Sequence, residues 1–198
     1  NVMAYLAKAN IALSVTLTAV ATLLAPIMTP FLMKTLAGSF VPIDFLAMMT
    51  SIFKIVIVPV LLGLIFNYFF HGKAKWLDKA MPIISMAGIG FIIMIITAAG
   101  RDDLLSIGLL LILAAIIHNL LGYVFGYWGC RIFGMSEQDC RTIAFEVGMQ
   151  NGGLATGIAL EMGKISTVGL APAIFGPWMN ISGSSLATWW RDKEPKKK

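Results

Sequence analysis

Six long blocks of apolar residues follow one another along the chain, with only short polar connections between them. Each block is close to the roughly 20 residues that an α-helix needs to cross a bilayer. Apolar residues make up 58% of the chain and charged residues 13%, which is typical of a polytopic helical membrane protein rather than a soluble domain. The pattern therefore predicts six spans, at about 11–32, 52–70, 81–99, 104–128, 142–160 and 168–190.

The fifth block contains a carboxylate and a helix-breaking sequence where a bilayer interior is expected. Ser136 is a good N-cap with acidic residues after it, so Glu146 lies about 15 Å along the helix, near the middle of a hydrocarbon core about 30 Å thick. A carboxylate costs several kcal/mol there unless a cation or water offsets it. Residues 150–153 (Gln-Asn-Gly-Gly) follow, and two adjacent glycines predict that helix 137–163 is broken. Broken helices expose carbonyls that hold coupling ions in secondary transporters.

Other polar residues recur inside the apolar blocks. Asn10, Ser14 and Thr18 are spaced by four, so they share one face of the first long helix, although such hydroxyls can also bond to their own helix or to a neighbouring one. His118 and Asn119 interrupt the fourth block. With no acidic residue three or four positions away, we interpret them as hydrogen-bonded polar residues rather than a proton relay.

Positive charges predict the orientation of the chain. When alternate connections are pooled, eleven Lys and Arg residues fall on one side and only Lys34, Arg101 and Lys164 on the other, so the first side is cytoplasmic and includes the C-terminal tail 192–198. We expect a multi-pass protein of the inner (plasma) membrane, in contact with lipid and not with nucleic acid. Cys130 and Cys140 fall on the reducing side, without the spacing of a zinc site. The larger group of charges is Lys8, Lys73, Lys75, Lys79, Arg131, Arg141, Arg191, Lys193, Lys196, Lys197 and Lys198.

Two stretches carry a family resemblance. Residues 146–155 (Glu-Val-Gly-Met-Gln-Asn-Gly-Gly-Leu-Ala) and 178–184 (Trp-Met-Asn-Ile-Ser-Gly-Ser) resemble the ninth-helix crossover and the tenth helix of the bile acid:sodium symporter family. Residues 1–3 resemble the half-helix after that family's fourth-helix crossover. The resemblance implies an all-α inverted-repeat transporter of ten helices, with discontinuous crossing helices and with panel and core domains.

The resemblance also implies a division of the chain and a missing part. Residues 1–37 and 102–191 would belong to the core domain and 43–99 to the panel, with 192–198 as the tail. The chain would begin in the middle of the fourth helix, so the first helices of the same protein are expected to be missing partners of this polypeptide.

The family's chemistry supplies expectations for individual residues. The resemblance implies two sodium ions, the first bound by Asn1, Ser14, Thr18 and Glu146. The second would be bound by Glu146, Gln150 and the backbone carbonyls of Val147 and Met149. Asn151 and Asn180 match positions that face the substrate, an organic anion such as a bile acid or a smaller carboxylate such as pantothenate or a keto acid. Met179 departs from the family pattern, which often has His beside that Asn.

Three other interpretations compete with sodium-coupled symport and alternating access. One is a proton-coupled or efflux carrier of organic anions in which Glu146 is the protonatable group. Another is a non-transporting structural subunit in which Glu146 pairs with Arg141 or Lys54. The third is a membrane-embedded hydrolase with Glu146 as general base. No His-Glu-x-x-His pattern or nucleophile–base set supports it, so we expect no enzyme.

Overall fold

The computed structural model describes residues 1–39, 41–70 and 75–194, and no strand occurs among them. Residues 71–74 of the connection between the second and third predicted spans, and the last lysines of the predicted tail, lie outside the described residues. The helices are α1 (Val2–Leu6), α2 (Ile11–Ala37), α3 (Phe45–Ile52), a π-helix (Phe53–Ile57), α4 (Val58–Phe70), α5 (Lys75–Ala99), α6 (Arg101–Ile132), α7 (Glu137–Gly148), α8 (Gly152–Glu161) and α9 (Leu170–Arg191).

Four helical segments in the described part of the chain are long and apolar enough to cross a membrane: Ile11–Ala37, Phe45–Phe69, Ala80–Ala99 and Arg101–Ile132. They agree with the first four predicted spans. The fifth predicted span is divided between α7 and α8, each too short to cross alone. The sixth corresponds to α9, which is 22 residues long but carries the polar run at 180–185.

The surface of these helices is itself apolar. Large side chains such as Leu62, Phe69, Ile83 and Met86 are between 61% and 65% exposed. A water-soluble domain rarely exposes so continuous an apolar surface. The exposed apolar faces are therefore suited to lipid, and the chain is a multi-pass helical membrane protein.

The described chain divides into two compact units. Unit 1 comprises Asn1–Ala21, Leu105–Gly152 and Ala171–Lys198, and unit 2 comprises Thr22–Leu104 and Gly153–Leu170. The buried core of unit 1 combines small residues of α1 and its following turn with aromatic residues of α6, α7 and α9, namely Ala4, Ala7, Ala9, Tyr123, Ala144, Phe145, Ala187 and Trp190. The predicted panel and core domains have boundaries different from those of these two units, and they stay a prediction.

Unit 2 contains a local distortion of the second predicted span. The segment Phe53–Ile57 is a π-helix, in which the Val58 N–H bonds to the Phe53 carbonyl. Pro59 lacks the N–H that would continue an α-helical pattern, and the helix forms this wider turn just before it. Lys54 lies in this turn and lines a cavity of about 450 Å³ together with apolar residues of α2 and α3.

Helices α6 and α7 approach each other closely in unit 1 because two residues of α6 have no side chain. A Cβ added to Gly126 would lie 2.7 Å from the Ile143 carbonyl oxygen, and one added to Gly122 would lie 2.7 Å from the Gly148 Cα. Small residues spaced by four allow such backbone approach in membranes. This spacing, Gly-x-x-x-Gly, is the sequence feature that predicts the contact.

Gly126→Ala is expected to lower the stability of the protein by about 1–3 kcal/mol, because the new methyl group must displace the backbone of α7. Gly129→Ala is the matched control, since a Cβ there meets no atom within 4 Å on the same helix. It should be neutral or slightly stabilising because alanine favours helix. The melting temperatures of the detergent-purified variants measure both effects, and equal values would contradict the proposed packing.

Candidate site at the broken helix

Helix α7 ends at Gly148 and α8 starts at Gly152, so the predicted break lies where the sequence places it. Met149 is extended, with φ −92° and ψ 128°. Ser136 caps the start of α7 by accepting a hydrogen bond from the Asp139 N–H, as its sequence position predicted. The break is therefore a feature of the backbone two residues beyond Glu146.

Three carbonyl oxygens in the last turn of α7 have identified donors. The Met149 N–H donates to Phe145 at 2.8 Å, the Gln150 Nε2 donates to Val147 at 2.7 Å, and the Asn119 Nδ2 donates to Gly148 at 2.9 Å. An α-helix end leaves such carbonyls without helical partners, and lipid supplies no water. Phe145 thus keeps a helical partner, and side chains satisfy the Val147 and Gly148 carbonyls beyond it.

The Glu146 carboxylate meets two hydroxyl groups and an amide oxygen. Ser14 Oγ lies 2.6 Å from Glu146 Oε1 and 2.6 Å from Asn1 Oδ1, and Thr18 Oγ1 lies 2.9 Å from Glu146 Oε2. Thr18 Oγ1 is also 3.5 Å from Asn1 Oδ1. Four residues that are remote in sequence therefore place their side-chain oxygens together, and they are the four expected to bind the first sodium ion.

The register between α2 and α7 explains how these residues meet. The Asn10 N–H donates to Thr142 Oγ1 and Ser14 Oγ to Glu146 Oε1, and both pairs are separated by 132 residues. Each helix advances by four residues between the two contacts, about one turn. Helices α2 and α7 consequently run side by side in the same direction, and the polar face predicted for Asn10, Ser14 and Thr18 lies against α7.

Asn10 fixes the N-terminal end of the contact between α2 and α7. Its Oδ1 accepts from the Leu13 N–H at 3.1 Å, which caps α2, and its Nδ2 donates to Asp139 Oδ1 at 2.8 Å. An asparagine is a favourable residue at such a cap, whereas the bond to Asp139 joins residues that are far apart in the sequence. The turn between α1 and α2 is thereby attached to the first turn of α7.

Arg141 is buried and holds the ends of three helices together. Its Nη1 donates to the carbonyls of Ala7, Trp190 and Lys193 at 3.0–3.1 Å, and its Nε lies 3.2 Å from Glu137 Oε1. The cation therefore lies at the C-termini of α1 and α9, where the helix dipoles favour positive charge.

This placement of Arg141 contradicts the interpretation in which it neutralises Glu146. Its partner is Glu137, one turn earlier in the same helix, and it is 2% exposed rather than available to lipid headgroups. Within the described part of unit 1, no basic side chain lies within 4 Å of the Glu146 carboxylate. The carbonyl contacts of Arg141 were missed because each crosses a long sequence distance, whereas Glu137 is one turn away in the same helix.

The other predicted site residues have fewer described contacts with one another than the four around Glu146. The Gln150 side chain bonds the Val147 carbonyl, which brings together two of the four groups expected at the second ion. Met149 packs toward Gly183 with its side chain. Asn151 is exposed, and Asn180 is exposed and donates to the Gly176 carbonyl of its own helix at 2.8 Å. The described contacts do not bring Asn151 and Asn180 together.

Sulfur and carboxamide groups line the other side of the break. Met179 Sδ accepts from the Gln150 N–H at 3.4 Å, so the residue that departs from the family pattern contacts the backbone just after the end of α7. Asn119 is fully buried and hydrogen-bonded, which confirms its interpretation as a satisfied polar residue, and the neighbouring His118 ring lies edge-on to Phe175. Within the described residues no group of three or more His, Cys, Asp or Glu side chains gathers. The oxygen-rich site at Glu146 thus differs from a transition-metal centre.

Apolar spans, and a broken helix with a carboxylate beside the break, define a multi-pass helical membrane protein with a discontinuous helix. Residues 1–107 match the profile of the Sodium Bile acid symporter family. This chain belongs to that family.

Individual relatives agree with the family assignment. The chain is 40% identical over 198 residues to the uncharacterized sodium-dependent transporter YocS of Bacillus subtilis (strain 168), covering all of this chain and 61% of that protein. It is 33% identical over 196 residues to the probable sodium/metabolite cotransporter BASS1, chloroplastic, of Arabidopsis thaliana, covering 99% of this chain and 49% of that protein. The chain therefore spans about half to three fifths of the length of these relatives, and both are named as transporters.

Arg141→Lys should lower the stability of the protein by about 2 kcal/mol or more, because one ammonium group cannot replace a fork that bonds three carbonyls and a carboxylate. Arg131→Lys is the matched control. Arg131 lies 3.5 Å from the same Glu137 but is 36% exposed, so its loss should cost less than about 1 kcal/mol. Thermal unfolding of the purified variants in detergent compares them, and similar losses would show that Arg141 does not hold the helix ends.

Proposed function

We propose that this chain forms the ion-binding part of a secondary transporter that couples sodium entry to the symport of an organic anion. The observation that carries the proposal is the cluster formed by Asn1, Ser14, Thr18 and Glu146. Family membership and the names of the relatives also support sodium-coupled transport.

The number of hydrogen atoms that the side-chain oxygens of this cluster can donate favours a bound cation. It contains five side-chain oxygen atoms, one each from Asn1, Ser14 and Thr18 and two from Glu146, and only the two hydroxyl groups carry a hydrogen. Ser14 Oγ cannot donate its single hydrogen to Asn1 and to Glu146 at once. A hard cation satisfies several oxygen lone pairs and neutralises the carboxylate, which removes the cost of charge in the membrane.

The second proposed ion lies beside the first, where α7 ends. Glu146 belongs to the last turn of α7, and Gln150 lies two residues beyond its end. Gln150 already contacts the Val147 carbonyl, and Met149 is extended, so its carbonyl does not continue the helical pattern. We therefore assign Glu146, Gln150 and the carbonyls of Val147 and Met149 to the second sodium ion.

Alternating access gives the sodium ions their effect on the substrate. If sodium and substrate both bind better to one of the two facing states, each raises the affinity for the other by about 1–3 kcal/mol. The substrate would contact Asn151 and Asn180, beside the break and on α9. Its class is an organic anion, either a bile acid or a smaller carboxylate such as pantothenate or a keto acid.

The orientation follows from groups that unit 1 brings together. Arg141 binds the carbonyls of Ala7, Trp190 and Lys193, so the turn after α1, the start of α7 and the end of α9 lie at one end of the unit. Lys8, Arg141, Arg191 and Lys193 belong to this end. We propose that it faces the cytoplasm of a cell with this protein in its inner membrane.

Thr18→Val should raise the sodium concentration for half-maximal effect about tenfold, because it removes a hydroxyl that bonds the Glu146 carboxylate while keeping the side chain's shape. Thr16→Val is the matched control on the same helix, since the Thr16 hydroxyl bonds the Ala12 carbonyl. Sodium-induced stabilisation of the intact transporter at fixed pH, with choline maintaining ionic strength, measures the effect.

Glu146→Ala and Gln150→Ala extend that test to both ions. A sodium response identical to wild type in both variants would remove the proposed sites. Uptake that follows a pH gradient and ignores sodium at fixed pH would instead favour the proton-coupled alternative, with Glu146 as the group that changes protonation.

Asn151→Ala and Asn180→Ala should raise the half-saturating concentration of the organic anion by about tenfold at saturating sodium, since each loses a hydrogen bond to substrate. Thr188→Ala is the control on α9, because its hydroxyl bonds the Ser184 carbonyl of its own helix. Uptake of a labelled bile acid, pantothenate and a keto acid into proteoliposomes identifies the class. Unchanged substrate dependence in both Asn variants would exclude them from the substrate site.

A further inference from the structure

Asn119 occupies a position that neither the family features nor the proposed ligand set explains. Its side chain is fully buried, in the middle of α6. The Nδ2 donates to the Gly148 carbonyl at 2.9 Å, and the Oδ1 accepts from Ser182 Oγ at 2.6 Å. Ser182 Oγ is also 3.2 Å from the Tyr123 hydroxyl. One carboxamide therefore connects α6, the broken end of α7 and α9.

The Gly148 carbonyl needs this donor because the helix stops there. In a continuous helix it would accept from the N–H of residue 152, but Gly152 is the first residue of α8. An unsatisfied carbonyl in a region without water is costly. Asn119 can reach it because Gly122, one turn further along α6, lets the two backbones come close.

The bonded carbonyl is next to the proposed ion ligands in the chain. Gly148 lies between Val147 and Met149, and two residues after Glu146. Without the Asn119 donor, the peptide groups around Gly148 are free to rotate toward another donor. Such a rotation would also change the direction of the Val147 and Met149 carbonyls and the position of Glu146.

We propose that Asn119 is a positioning residue for sodium, and that Ser182 orients it. This inference rests on the proposed function and adds to it a residue that does not touch the ion. Asn119 fixes the unwound end of α7 in the conformation that presents its oxygens to sodium. Through Ser182, two residues after Asn180 on α9, the same carboxamide connects the ion ligands to the helix that carries a proposed substrate residue.

The test compares Ser182→Ala, Asn119→Leu and the double variant in the intact transporter. Asn119→Leu should raise the half-saturating sodium concentration about tenfold and Ser182→Ala about threefold, as expected for losing a direct donor and a residue that orients it. The double variant should match Asn119→Leu alone, because Ser182 acts through Asn119. Ser185→Ala is the control for Ser182→Ala, since the Ser185 hydroxyl bonds the Ile181 carbonyl of its own helix.

Two readouts separate positioning from general loosening of the fold. Equilibrium binding of radioactive sodium, measured well below the melting temperature, reports the site, and the melting temperature without sodium reports stability. Ser182→Ala removes only one oxygen atom, so it tests the inference even if Asn119→Leu does not fold. Wild-type sodium affinity in Ser182→Ala and in a folded Asn119→Leu would overturn the inference, and so would simple additivity in the double variant. Absence of sodium binding to the wild type would instead overturn the proposed function.

Discussion

A carboxylate and a broken helix end must both be satisfied within an apolar surrounding, and this constraint accounts for the polar contacts around Glu146 and Gly148. Glu146 meets the hydroxyls of Ser14 and Thr18, and the carbonyls after it meet Gln150 and Asn119. Because lipid offers no hydrogen bonds, each of these groups needs a protein partner or a cation. The membrane therefore imposes on α2 and α6 the polar residues that would otherwise be unfavourable there.

The precision of this arrangement comes from contacts at some distance from it. Asn10 with Asp139 and Thr142 fixes α2 against the first turn of α7, and Ser14 with Glu146 follows one turn later. Arg141 attaches the end of α1 to the same turn, while Gly122 and Gly126 let α6 approach from another side. A shift of one residue in either register would move the hydroxyls off Glu146. The contacts that stabilise this end of the unit consequently also set the geometry at the break.

The sequence predicts some of these features because they are local. The Ser136 cap, the break after Gly148 and the common face of Asn10, Ser14 and Thr18 each depend on spacing within one helix. The partners of Arg141, Asn119 and Thr142 could not be read in the same way. Most of these partners lie on other helices, and the spacing of residues within one helix does not show which neighbour a given face meets. From the sequence, Arg141 accordingly counts among the charges of the cytoplasmic side, although its side chain is buried against backbone carbonyls.

The position of the break also explains why two glycines are tolerated in a membrane helix. Gly152 and Gly153 lie where the chain passes from unit 1 to unit 2, and residues without helical hydrogen bonds change direction at less cost than a continuous helix. The same segment contains the Val147 and Met149 carbonyls that we assign to a cation. A helix that continued through this short segment would offer neither carbonyls to a cation nor a point at which the chain can change direction. In the proposed transport cycle, a sodium ion bound there replaces part of the missing helical bonding and favours one of the two conformations.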